Sequence, residues 1–249
     1  MHSFSVEKIK AVRYISLKKD WIRRFLLRIL LRNLSCEKKW IPGVIYDAGN
    51  TKYKKYVKNG FAPYMKEKGN KCRQRGIIGC WIAHSHALED INDREGISII
   101  IEDDFICQPG FFQKAIMMLN EFDREFDIIV FDPSGSGPMP EHKICNNIYR
   151  NNGGAWPVYW GSHCLFVNNK SIPKILDDTL NSQVFDYDSY LIGNTELKVY
   201  LFYSNMSTVV DFGSNILPGN FTIKNSNLMG IIRWIKSRYS ETIYVRRIT

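Results

Sequence analysis

The sequence predicts an α/β fold, with a mostly parallel sheet covered by helices on both faces. Three observations carry that expectation. Residues 97–101 (ISIII) and 127–131 (DIIVF) are short, nearly continuous apolar runs rich in β-branched side chains, as in strands buried on both faces. Residues 77–94 repeat apolar side chains at helical spacing. Strand-like and helix-like stretches then alternate along the chain, the pattern of parallel strands joined by crossover helices.

Taken in order, residues 12–17 (VRYISL) read as the first strand and 21–34 as the first helix. In that helix Ile22, Phe25, Leu26, Ile29, Leu30 and Leu34 share one face, and Arg24, Arg28 and Arg32 lie on the other. Residues 40–45 are extended and run into the turn formers Asp47, Gly49 and Asn50. The helix over 77–94 buries Ile78, Trp81, Ile82, Leu88 and Ile91 and stops at Gly96. After the strand at 97–101, Pro109 opens a helix over 110–122. The strand at 127–131 ends in Asp132-Pro133. A strand at 160–167 follows, then a helix at 171–180 with Ser171 as its cap, a short helix at 188–192 and a strand at 197–203.

A chain of 249 residues with 45% hydrophobic and 13% aromatic residues can bury one sizeable core and is not of disordered composition. The expected division is one domain over 1–220 and a basic amphipathic tail over 221–249. No apolar run approaches the roughly 20 residues of a spanning helix. The six cysteines form no Cys-x-x-Cys pair, and residues 1–10 lack a basic-then-apolar leader. Reduced thiols in a cytoplasmic protein are therefore expected.

The net charge of +9 predicts anionic partners. Residues 52–75 hold nine Lys and Arg against the single acid Glu67, interleaved with Tyr53, Tyr56, Phe61 and Tyr64. This segment reads either as a loop that grips phosphates and stacks on a ring or as a solvated loop. The basic, apolar run 228–239 is the candidate for lying on the inner face of an anionic membrane.

In open α/β sheets ligands bind beyond the carboxyl ends of the strands. Two strands end in acids here, one in Glu102-Asp103-Asp104 and one in Asp132. Alternation along a strand puts Glu102 and Asp104 on one side and Asp103 on the other. Adjacent carboxylates with no local cation repel each other and invite a divalent metal, and their oxygens favour Mg²⁺ or Mn²⁺. Such a metal would neutralise a diphosphate leaving group. P-loop, nucleophile-elbow and Gly-x-Gly-x-x-Gly motifs are absent. Cys72, Cys80, His84 and His86 match no common zinc spacing.

The stretch Gly76-x-x-Gly79-Cys80-x-x-Ala83-His84, followed by a helix and Ile99-Ile100-Ile101-Glu102-Asp103-Asp104, resembles glycosyltransferase family 25. This is the bacterial lipopolysaccharide and lipooligosaccharide family. Tyr14 to Leu17 with Arg23-Arg24, residues 45–49, 161–167, 197–201 and 214–216, and Asp188-x-x-Leu191 resemble its other elements. Ile77, Ala83, Ser16 and Asn215 depart from its pattern.

The resemblance implies a GT-A-like single domain that transfers a hexose from a nucleotide sugar, usually UDP-galactose, with inversion. It implies Glu102 and Asp104 at the metal and ribose, and Asp103 beside them at the donor. Ser16, Leu17, Lys18 and Arg24 would lie near the nucleotide. His84 would orient a substrate or a carboxylate, or else be a core histidine. Asp188 is the expected base, or a helix cap, with Asp186 as a near rival and His163 as a weaker one. The acceptor would be a lipid-linked or surface glycan, with peripheral membrane contact and no nucleic acid. The rival readings are a non-catalytic basic module for nucleic acid or membrane, and a metal-dependent phosphohydrolase.

Overall fold

The computed structural model describes residues 9–47, 50–57, 71–92, 94–133, 142–151, 161–182 and 186–209. The residues expected to form the 221–249 tail lie outside these, as do 214–216 and the middle of the basic segment, 58–70.

Ten strands are described: β1 (Ile9–Ser16), β2 (Glu37–Pro42), β3 (Ile97–Glu102), β4 (Phe105–Cys107), β5 (Ile128–Phe131), β6 (Lys143–Cys145), β7 (Ile148–Arg150), β8 (Cys164–Asn168), β9 (Val199–Phe202) and β10 (Ser207–Val209). The helices are α1 (Trp21–Leu30), α2 (Lys71–Ile91), α3 (Phe111–Glu121), α4 (Ile172–Asn181) and α5 (Tyr187–Gly193). Eight strands form one sheet in the order β2-β1-β3-β8-β5-β9-β7-β6, and β10 pairs with β4 apart from it.

The fold is α/β with a mostly parallel sheet, as expected. Strands β1, β2, β3, β5, β6 and β9 run in one direction, while β7 and β8 run against it. Inserting β8 antiparallel between β3 and β5 makes both its ladders antiparallel. Its leading end therefore reaches the same sheet edge as the trailing end of β3, where the backbone N–H of Glu102 donates to the His163 carbonyl at 3.0 Å.

Each strand alternates between two cores, which is why helices cover both faces. Ile100, Val130, Leu165 and Leu201 pack with Ile78, Trp81 and Ile82 of α2, Ile175 of α4 and Tyr190 of α5. Ile99, Ile101, Phe131, Phe166 and Phe202 pack with Leu27 and Leu30 of α1 and with Phe111, Ile116 and Leu119 of α3. Fully burying one such side chain is worth roughly 1.5–3 kcal/mol. Arg13 is buried between these layers, and its charge is met by Asp90 at 2.5 Å and Glu37 at 2.8 Å.

Several local expectations need correction. The helix over 77–94 starts at Lys71, so the end of the basic segment is helical. The start of that segment is not a free loop either. Residues Thr51–Tyr56 form a 3₁₀ turn docked on α2, where Lys55 pairs with Glu89 at 2.7 Å and the Tyr56 hydroxyl donates to Glu89 at 2.6 Å. Ser171 makes no capping hydrogen bond, because a 3₁₀ turn over Asn169–Ser171 leads into α4. No helix among the described residues is long and apolar enough to cross a membrane.

Candidate active site

The carboxyl edge of the sheet gathers the trailing ends of β1 and β3, the leading end of β8 and the first turn of α5. The strand β3 ends at Glu102, and Asp103 and Asp104 lie in the turn that follows. Glu102 turns toward α2 and Asp103 toward α1, where Arg23 Nη1 lies 3.3 Å from Asp103 Oδ1.

Glu102 is the hub on the α2 side. Its Oε1 accepts from the Ser162 hydroxyl at 3.0 Å, lies 3.1 Å from His84 Nε2 and 3.9 Å from Cys80 Sγ. Burial works to raise its pKa, but the hydrogen bond and charge of His84, the charge of His163 and the Ser162 bond outweigh it and hold the carboxyl below its ordinary value. His84 is fully buried, and its ring stacks on Tyr187 of α5 with centroids 4.2 Å apart.

Asp188 faces Glu102 across Ser162. Its Oδ1 accepts from the Ser162 backbone N–H at 2.8 Å. The helix cap is Asp186, whose carboxylate accepts from the Ser189 N–H at 3.1 Å. The capping explanation for Asp188 thus fails, and Asp186 is spent on the cap. Burial, the Glu102 charge and the Asp186 charge push the Asp188 carboxyl up to about 6, the range suited to a general base near neutrality.

Asp104 follows Asp103 in the same turn. Its Oδ1 is buried and has no hydrogen-bond partner among the described residues. Burial and the charges of Glu102 and Asp103 push its carboxyl well up. An orphaned carboxylate oxygen beside a second carboxylate is the donor set a hard cation would complete. Asp104 and Glu102 have the oxygen chemistry a hard cation takes, while the group whose donor atoms lie within 4.8 Å of one another is Glu102 with Cys80 and His84.

The expected nucleotide-side residues cluster at the end of β1. Ser16 is buried. Arg24 donates to the carbonyls of Leu17 and Lys18, the latter at 2.8 Å, and its guanidinium lies 4.4 Å over the Trp40 ring. Two of its donor nitrogens therefore hold the backbone turn, while the Lys18 side chain is exposed. Arg24 shapes this turn.

Two other candidates are structural. Asp132 has φ +45° and accepts from the Ser204 hydroxyl at 2.5 Å, the Ser207 hydroxyl at 2.6 Å and the N–H groups of Asn205 and Ser207 at 2.9 Å. The second acidic strand end is thus a clamp on the β9–β10 turn. His163 is buried, its Nε2 lies 3.3 Å from the Asp132 carbonyl, and burial lowers its pKa. Gly161 at φ +105° lies against its ring, so a Cβ there would fall 2.5 Å from Nδ1.

Ser162 escaped the sequence reading, since only the antiparallel course of β8 brings it beside Glu102. Cys80 was weighed in the sequence with Cys72, His84 and His86 and set aside for want of a common zinc spacing, yet its i, i+4 spacing with His84 puts both on one helix face beside Glu102.

No family model matches the chain, and no curated protein matches it either. Among solved structures it is similar to a glycosyltransferase involved in the glycosylation of the major capsid of PBCV-1, at 8% identity and TM-score 0.42, over 78% of this chain and 82% of that one. It is also similar to the inositol-1-phosphate CTP transferase from T. maritima, at 14% identity and TM-score 0.38, over 89% and 95% of the two chains. Both scores are low, and neither likeness assigns chemistry to this chain.

Proposed function

We propose that the chain is a metal-dependent, inverting glycosyltransferase that moves a hexose from a nucleotide diphosphate sugar to an acceptor hydroxyl. The observation that carries this reading is the placement of two carboxylates of opposite aptitude around Ser162. Glu102 is held ionised at the end of β3 beside the orphaned Asp104 oxygen, and Asp188 is held at about 6 on α5.

In this mechanism Glu102 and Asp104 would hold Mn²⁺ or Mg²⁺, which would offset the charge developing on the departing diphosphate. Asp188 accepts the proton of the acceptor hydroxyl as that oxygen attacks the anomeric carbon. His84 and Ser162 fix the Glu102 carboxylate. The Ser16–Leu17–Lys18 turn, braced by Arg24, borders the nucleotide, and Asp103 with Arg23 closes that side.

The resemblance to family 25 supports the finer assignment. It favours UDP-galactose as donor and a lipooligosaccharide-type glycan as acceptor. The basic, apolar run 228–239 supports a transferase domain over 1–220 working at the cytoplasmic face of a membrane, with the 221–249 tail as peripheral anchor.

The test is a thermal-shift titration with UDP-, GDP- and CMP-sugars, each with and without Mn²⁺. Metal-dependent stabilisation by UDP-galactose is expected. Indifference to all three classes, with stabilisation by an oligonucleotide instead, would overturn the reading in favour of a basic binding module.

A further inference from the structure

The Oε1 atom of Glu102 faces a sulfur and an imidazole nitrogen rather than further oxygens. Cys80 and His84 sit one helical turn apart on α2 and present Sγ and Nε2 toward that one oxygen. The three donor atoms all lie within 4.8 Å of one another, with Nε2–Oε1 at 3.1 Å and Sγ–Oε1 at 3.9 Å. In a four-coordinate zinc site with bonds of about 2.0–2.3 Å, neighbouring donors stand roughly 3.3–3.6 Å apart. The triad needs only small adjustments to meet that geometry.

Hydrogen bonding accounts poorly for Cys80 here. A thiol is a weak donor, and 3.9 Å to a carboxylate oxygen is a marginal contact. The field around it is negative, since Glu102, Asp188, Asp186 and Asp104 all act on the thiol. Cys80 and Glu102 are only half-buried, which leaves a fourth coordination position within reach of water.

We propose that Cys80, His84 and Glu102 form a binding site for a thiophilic divalent cation of the zinc class. One sulfur, one imidazole nitrogen and one carboxylate oxygen select zinc over Mg²⁺ or Mn²⁺, which prefer an all-oxygen shell. On binding, the Cys80 S–H bond breaks, the thiolate keeps the electron pair as the metal–sulfur bond forms, and the proton leaves to solvent. Zinc at this position would occupy the Glu102 carboxylate, so it would antagonise a hard cation that needs the same group. The site is read from its own ligands and does not depend on the transferase assignment.

The experiment uses the full chain without nucleotide. Co²⁺ is added as a spectroscopic zinc substitute, and zinc affinity is measured by competition. A thiolate-to-cobalt charge-transfer band with strong four-coordinate visible absorption is expected. Cys80→Ser should lose the band and weaken zinc binding by on the order of tenfold or more. Alkylation mapped by mass spectrometry reads the same site in the wild-type chain: zinc should protect Cys80 but leave the exposed Cys145 reactive, and Mg²⁺ should protect neither. A cobalt spectrum without the sulfur band, a band that persists in Cys80→Ser, or Cys80 alkylation unchanged by zinc would overturn the proposal.

Discussion

The backbone N–H of Ser162 donates to Asp188 Oδ1 at 2.8 Å, which ties the first turn of α5 to the leading end of β8. The hydroxyl of the same serine donates to Glu102, so one residue spaces the proposed base from the proposed metal ligand. If Asp188 is the base, transfer should rise with pH through a midpoint near the carboxyl's value of about 6. Asp188→Asn should lower turnover by about 10²–10⁴-fold and remove that acid limb. A pH–rate profile of both proteins checks this, and an unchanged limb in the variant would return the role of base to another group.

Asp104 carries a raised pKa, and the sign of its contribution follows. The folded chain binds this proton more tightly than the unfolded chain does, so stability is lost as pH climbs from the ordinary value of 3.8 toward the folded one. The cost of ionising this buried carboxyl therefore grows as the pH rises toward its folded value. Asp104→Asn should abolish transfer and raise the melting temperature by about 2–4 °C per kcal/mol recovered. Calorimetry at several pH values, alongside turnover, reads both halves of this prediction.

Asp132 holds the β9–β10 turn through four hydrogen bonds to one carboxylate. Asp132→Ala removes them all and should destabilise the fold by at least about 1.5–3 kcal/mol, the scale of a hydrogen bond to a charged group. Urea denaturation would show it as a lower midpoint. Donor KM should stay near the wild-type value.

Gly79 marks the closest approach of α2 to the chain after β2. A Cβ there would lie 1.7 Å from the Val44 carbonyl oxygen, which no rotamer change can relieve. Gly79→Ala should cost about 1–3 kcal/mol by forcing the helix off the loop. Gly193, which has open space around it, serves as the control: Gly193→Ala should be close to neutral. Chemical denaturation of the two variants separates a packing cause from loss of glycine flexibility.

Much of the layered architecture was legible because its signal is local. The run Ile97–Ile101 and the helical stripe from Ile78 to Ile91 state their burial in residue type and spacing alone. The direction of β8 was not legible. Its residues Cys164 to Val167 are apolar without exception, and such a run suits either orientation between two neighbours. The short strands β4, β6, β7 and β10 span only three residues each, too few to show a period. At the site, Glu102 to Asp104 stood out because three acids cannot hide at the end of a buried strand. Asp132 stood out equally, yet the groups that saturate it lie some seventy residues further along the chain. Sequence proximity could not tell an acid left open from one already enclosed.

The position of β8 also sets an order of events during synthesis. Ile97–Ile101 has its β1 neighbour early, but its other edge finds a partner only once residues 164–168 have emerged. Until then a largely apolar strand edge stands open to other chains. Nascent or truncated products ending before residue 164 should therefore aggregate, and chaperone demand should fall sharply once β8 closes the gap.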